Sequence, residues 1–298
     1  MDKLASASGG HLQVNIYGYV PNFAANVVGL SLFAVAWLLH TVFGLYYRQW
    51  WFGTAVWIAC GLETAGYVAR TLSHANPTVI NDYLVQIICL TLGPAFAMAG
   101  IYYMLAKFTV IYGGQFSKLK PMAYSTIFIL FDFISIVLQA IGGGMAAVAL
   151  LNHTSATNGT HVMLAGICFQ VVSMLIFMFF CAWFVYNITF GPTKYGWRYN
   201  AEYADLHSRK LFIVFPWSIG VAVLAIFTRC IYRVVELAQG WTGYLITHEQ
   251  YFLALDGLML IIALFALLLP HPGFVWGRRH IKVEKFGRPQ PLDQNKEG

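Results

Sequence analysis

The chain has 298 residues, of which 59% are hydrophobic and only 10% charged, and its mean hydropathy is +0.64. A soluble domain carries about 25% charged residues, so this balance excludes an ordinary soluble protein and points to an all-α integral membrane protein. The net charge of +6 does not imply nucleic acid, because the basic residues gather on one side of the predicted spans, as membrane orientation requires.

The N-terminal "MDKLASASGG" lacks an apolar core segment, so no cleavable signal peptide is expected and the first span serves as its own insertion signal. A spanning helix needs about 20 mainly apolar residues. Seven stretches qualify: 23–46, 52–72, 83–112, 122–151, 162–190, 211–237 and 251–270. The expected organisation is an extracellular segment 1–22, a seven-helix membrane domain 23–270 and a basic cytosolic tail 271–298. Cys60, Cys89, Cys168, Cys181 and Cys230 all lie in apolar runs without a CxxC pair. They read as packing residues rather than a disulfide framework.

Orientation follows from Lys and Arg between spans. Arg48, Lys118, Lys120, Lys194, Arg198, Arg209, Lys210 and six residues of the tail make 13 on one side, against Lys3 alone on the other. The N-terminus is therefore expected outside and the C-terminus in the cytosol. The sequons "NHT" at Asn152 and "NGT" at Asn158 fall in the loop after span four. The charge asymmetry puts that loop outside, where both asparagines are candidate glycosylation sites. A third match, at Asn187, falls at the cytosolic end of span five.

Charged residues inside spans are expensive and usually functional. Glu63 and Arg70 are seven apart, as are Asp132 and Gln139, Arg229 and Glu236, and Glu249 and Asp256. Seven residues return to within about 20° of the starting direction, about 10.5 Å along a helix. Arg233 joins the face of Arg229 and Glu236. Four helices thus carry polar stripes, which face one another or water rather than lipid. With Gln86, these residues predict a substrate-binding cavity opening outward over a carboxylate floor of Glu63, Asp256 and the deeper Asp132. The other reading is a set of ion pairs that only specify helix register. Lys107, near a span end, is expected to snorkel. Pro94 in "LTLGPAF" and the run Gly142, Gly143, Gly144 in "AIGGGMA" are candidate breaks or hinges. For the glycines, close helix packing is the alternative.

Several chemistries find no support. There is no GxxxxGK loop for P-loop nucleotide hydrolysis, no lysine in span seven for a Schiff base, and no in-span histidine pair of metal-site spacing. His40 and His271 are the only plausible pair, at the cytosolic ends of spans one and seven. The expectation is a protein that is not an enzyme, with no cofactor and no metal site. Membrane lipids are its partners; a homo-oligomer is left open.

The motifs "ETAGYVAR" (Glu63, Gly66, Tyr67, Arg70), "QIICLTLGPAFAMAGIYY" (Gln86, Pro94, Tyr102), "FDFISIVLQAIGGG" (Asp132, Ser135, Gln139, Gly142), "RCIYRVVELAQGWTGY" (Arg229, Tyr232, Arg233, Glu236, Gly240) and "HEQYFLALDGLML" (Glu249, Asp256) occur in that order. With "YGYVPNFAANVVGL" at Tyr17 and "LPHPG" around Pro270, they make the chain resemble the fungal lipid-translocating exporter family. That family includes the resistance-to-aminocholesterol and sphingoid long-chain-base exporter-like proteins. The usual family form near Pro94 is "LAPAF", and glycine in place of its alanine at Gly93 is expected to matter little. The resemblance implies a seven-span protein of fungal membranes, the plasma membrane foremost, that confers stress or drug resistance by moving amphipathic lipids such as sphingoid bases. Two alternatives stay open: a receptor-like sensor that regulates lipid asymmetry without transport, and a porphyrin or haem transporter.

Overall fold

A computed structural model describes residues 19–152, 154–195, 199–207, 209–240, 243–278, 281 and 283. Most of the expected N-terminal segment (1–18) and of the tail (284–298) lies outside these residues.

Among the described residues the fold is all-helical. We label the long helices α1 (Phe23–Tyr47), α2 (Trp50–Leu72), α3 (Ile80–Tyr112), α4 (Pro121–Leu151), α5 (Thr157–Tyr195) and α6 (Lys210–Ala238). The seventh, α7 (249–268), begins as Glu249–Tyr251, widens into a π-helical stretch at Phe252–Leu258 and continues as Met259–Leu268. Helix α1 starts where the Asn22 side chain accepts from the Ala25 amide at 3.1 Å and stops where Arg48 turns left-handed at φ 54°, a cap at each end.

Six of these helices, all but α2, are long and apolar enough to cross a membrane. Helix α2 has 23 residues, but Glu63, Arg70 and three tryptophans make it less apolar than the rest. The helices pack in ring order, α1 to α7, with α7 closing on α1 and α3 also touching α6 through the middle. Large apolar side chains such as Leu38, Phe133, Phe179 and Trp217 point outward. A soluble monomer rarely exposes apolar surface on this scale, whereas a lipid-facing surface requires it.

Three expectations need correction. The glycine run does not break α4, which passes through it as continuous helix. Only Gly142 makes a close approach: a Cβ there would overlap the Met163 amide and sit 2.7 Å from the Gly159 carbonyl on α5, while a Cβ on Gly143 or Gly144 meets nothing within 4 Å. The physical reason is angular, since successive residues turn 100° and three in a row cannot share one interface. Likewise, α3 remains helical through Gly93 and Pro94. Second, the bundle extends past residue 270. Pro272–Trp276 forms a short helix capped by His271, in which Val275 and Trp276 are buried and Trp276 packs against Phe108 and Phe215. Third, Lys107 does not snorkel. It is buried, donates to Gln49 Oε1 at 2.8 Å and lies near the Tyr103 and Trp276 rings.

Candidate functional site

The polar residues of α2, α6 and α7 converge in the half of the bundle nearest the start of α1. Arg70 is buried at the end of α2. Its Nε donates to Asn26 Oδ1 at 2.8 Å and its Nη2 to the Tyr19 hydroxyl at 2.7 Å and to Glu249 Oε1 at 2.9 Å. Glu249 also accepts from the Asn22 amide at 2.8 Å and Asn26 Nδ2 at 3.1 Å. The segment entering α1 is thus tied to α2 and α7 across the mouth of the site. Burial there raises the pKa of the Tyr19 phenol, with the nearby Arg70 guanidinium opposing the shift; the hydroxyl stays a donor-acceptor group.

One turn deeper, Arg233 donates from Nε to Asp256 Oδ1 at 2.6 Å and from Nη1 to Glu236 Oε2 at 3.0 Å. Tyr232 donates to the other Glu236 oxygen at 2.9 Å. Arg229 Nε lies 3.0 Å from the same Asp256 Oδ1. The π-helical stretch carries Asp256, and such irregular turns often re-aim functional side chains. Phe252 of the same stretch lies between two guanidiniums, 4.0 Å from Arg70 and 5.5 Å from Arg233. A π face is a favourable neighbour for both cations.

Helix α3 supplies backbone. Pro94 has no N–H, so the Leu90 carbonyl has lost its helical donor. Arg229 Nη2 donates to that carbonyl. One turn on, Gly93 faces Glu63. A Cβ on Gly93 would overlap Glu63 Oε1, so an alanine there requires the Glu63 carboxyl to shift. Glu63 is buried, and among the described residues neither of its oxygens has a hydrogen-bond partner. The site holds three arginines, with ion pairs to Glu249, Asp256 and Glu236. Glu63 is its fourth carboxylate and is in none of these pairs. The free cavity among Arg70, Gln86, Arg233, Glu236 and Phe252 is about 50 Å³.

The stripe of α4 faces elsewhere. Asp132 accepts from Tyr102 at 2.8 Å on α3, while Gln139 donates to Ser135 at 2.9 Å and to Gln170 at 3.2 Å on α5. The four stripes therefore do not form one cavity, and Asp132 and Gln139 make their hydrogen bonds away from the arginines. Tyr19, Asn26 and Gln170 were missed by the sequence reading. Asn26 carried a usable signal, a polar side chain in an apolar span four residues after the capping Asn22. Asn152 and Asn158 are exposed at the junction of α4 and α5. Among the described residues no group of three or more His, Cys, Asp or Glu is placed to hold a metal ion. The His40 and His271 rings are 6.0 Å apart, packed among Phe43, Phe52 and Phe274.

Comparison with known proteins adds a family. The model described as "RTA1 like protein" matches residues 56–279. The chain is 41% identical over 289 residues to the sphingoid long-chain base transporter RSB1 of Saccharomyces cerevisiae, covering 89% of this chain and 75% of that protein. It is 25% identical to protein RTA1 of the same organism, covering 86% and 84%, and 28% identical to its protoporphyrin uptake protein 1, covering 70% and 64%. These relatives are named as transporters or by family, none as an enzyme. No solved structure matches.

Proposed function

The chain belongs to the RTA1-like protein family, and from that premise we propose that it moves amphipathic lipids, sphingoid long-chain bases foremost, across the plasma membrane. The observation that carries this reading is Glu63: a buried carboxyl with no hydrogen-bond partner among the described residues, beside three arginines that are each ion-paired. A purely architectural network has no use for a buried carboxyl that makes no hydrogen bond, because an unsatisfied buried polar group is costly. An ammonium headgroup supplies the missing cation. Glycine at position 93 leaves the carboxyl its room.

A cavity of about 50 Å³ holds a few water molecules and no lipid headgroup, so this arrangement is the closed one. Opening requires α7 to shift against α6 and α2, which exchanges the partners of Asp256 and Glu249. The weakened turn of α3 at Leu90 to Pro94 is where such a shift meets least resistance. All seven helices cross the bilayer in this reading. Helix α2, at 23 residues, measures about 34 Å and sits between two strongly apolar neighbours. The basic asymmetry puts the start of α1, and with it the mouth closed by Tyr19, on the outside, where Asn152 or Asn158 is glycosylated.

The test is release of a labelled sphingoid base from preloaded cells. Cells producing the chain export faster than cells without it, and Glu63→Gln removes the gain at equal protein level. Equal export with and without the chain rejects the reading. An epitope at residue 1 is reachable on intact protoplasts and one at residue 298 is not; the reverse rejects the orientation.

A further inference from the structure

A second open space is roomier than the arginine site. It is a lateral groove of about 470 Å³ along α2, walled by α1 and α3. Its floor is Gly61, Ala65 and Ala69, one small residue per turn of α2; Trp37 stands at one end, and Leu72 and Asp82 at the other. A volume of about 300–1,000 Å³ is usual for small-molecule sites. From Gly61 to Leu72 the groove runs about 16 Å along the helix. The lining is apolar except for Thr64 and Asp82, and Thr64 spends its hydroxyl on the Cys60 carbonyl at 2.8 Å. Asp82 is in the first turn of α3, level with the start of α1. It is partly exposed and has no hydrogen bond or ion pair among the described residues, and no cation lines the groove. An apolar channel thus runs from mid-bundle to the helix ends, with one free carboxylate at its rim.

We propose that this groove is a docking site for a single-chain amphiphile with a cationic amine head, its chain along Gly61 to Leu72 and its ammonium on Asp82. Charge complementarity selects the occupant. A phosphate or carboxylate head would meet Asp82 with like charge, and a neutral head would gain no ion pair. The strip of glycine and alanines gives a chain a flat bed. Helix α2 is the shared wall: one face forms the groove floor, and the other carries Glu63 and Arg70 to the arginine site. The groove therefore receives lipid from the bilayer beside a helix against which α7 must shift. The choice of amine rests on the transport reading above, but the site has its own readout.

The experiment is photolabelling of the purified full chain in phosphatidylcholine nanodiscs. The probe is a long-chain amino alcohol with a diazirine in its chain. Its label is expected on the α2 peptide containing residues 61–72. Unlabelled amino alcohol competes, and the same chain with its amine acylated does not. Asp82→Asn lowers labelling about tenfold, the weight of one charge-assisted hydrogen bond. Ala65→Trp, which fills the bed, abolishes it; because Asp82→Asn is a small surface change, it keeps the test valid if the tryptophan variant misfolds. Label concentrated on the α6 and α7 peptides, equal competition by the acylated chain, or labelling indifferent to Asp82→Asn each overturns the proposal. Labelling without export in cells keeps the groove and rejects transport; export with labelling away from α2 does the reverse.

Discussion

Arg233 Nε lies 2.6 Å from Asp256 Oδ1, and this contact joins α6 to the π-helical stretch of α7. Arg229 reaches the same oxygen, so one carboxylate is shared by two guanidiniums. Removing it strands Arg229 and leaves Arg233 only Glu236, while removing either arginine leaves it one partner.

That asymmetry gives a rank order. Breaking a buried pair costs about 3–5 kcal/mol, so Asp256→Asn is expected to lose more stability than Arg233→Ala. Arg233→Lys recovers only part of the loss, since lysine lacks the planar fork that meets Asp256 and Glu236 together. Thermal denaturation of detergent-extracted protein, followed by size-exclusion chromatography, measures the order. If Arg233→Ala is the more damaging, Asp256 is not the hub.

The glycines of α4 separate cleanly. Gly142→Ala pushes a methyl into the α5 backbone, and overpacking of this kind costs about 1–3 kcal/mol. Gly143→Leu faces open space and is expected within about 0.5 kcal/mol of the parent. Equal effects at the two positions, read from thermal stability, would contradict the packing of α4 on α5.

Gly93 and Glu63 share one volume. Gly93→Ala displaces the carboxyl and is expected to weaken sphingoid-base export several-fold with folding intact. Glu63→Asp, shorter by one methylene, restores room in the double variant and recovers part of the loss. Export unchanged by Gly93→Ala would remove Glu63 from the working site.

His207 lies outside the long helices, 4.9 Å from the Tyr112 ring and 5.2 Å from that of Tyr199. Burial lowers its pKa, with the Ile111 backbone and Asp205 opposing the shift. The unfolded chain takes up the proton first as pH falls, so the folded state is penalised increasingly below about pH 6.5 and not above it. His207→Phe is expected to flatten that dependence. Unfolding curves at about pH 5.5 and about pH 7.5 show it; the same pH dependence in the variant would assign the effect to another group.

Much of this fold is legible in sequence, because runs of some twenty apolar residues leave few alternatives to helix. The seven-residue spacing of Arg229 with Glu236 marked one polar face of α6, but the 100° step it assumes does not hold between Glu249 and Asp256, where Phe252–Leu258 is π-helical. It did not say which neighbour that face meets. Asp132 and Gln139 have the same spacing yet turn to α3 and α5, since rotation of α4 about its axis is set by the contact of Gly142 with Gly159. The widened turn at Asp256 has no local signature, because "FLALDGL" suits an ordinary helix equally well. The tie between Pro94 and Arg229 was half visible: proline announces a free carbonyl, but its donor lies 139 residues away in the chain.

The central claim is that this chain itself carries lipid across a bilayer. The direct measurement uses purified protein in liposomes with a fluorescent sphingoid base in the inner leaflet and a membrane-impermeant quencher outside. The account predicts quenching several-fold faster than in protein-free liposomes, slowed to the protein-free rate by Glu63→Gln in folded, equally reconstituted protein. Quenching no faster with the wild-type chain than without it would contradict the account.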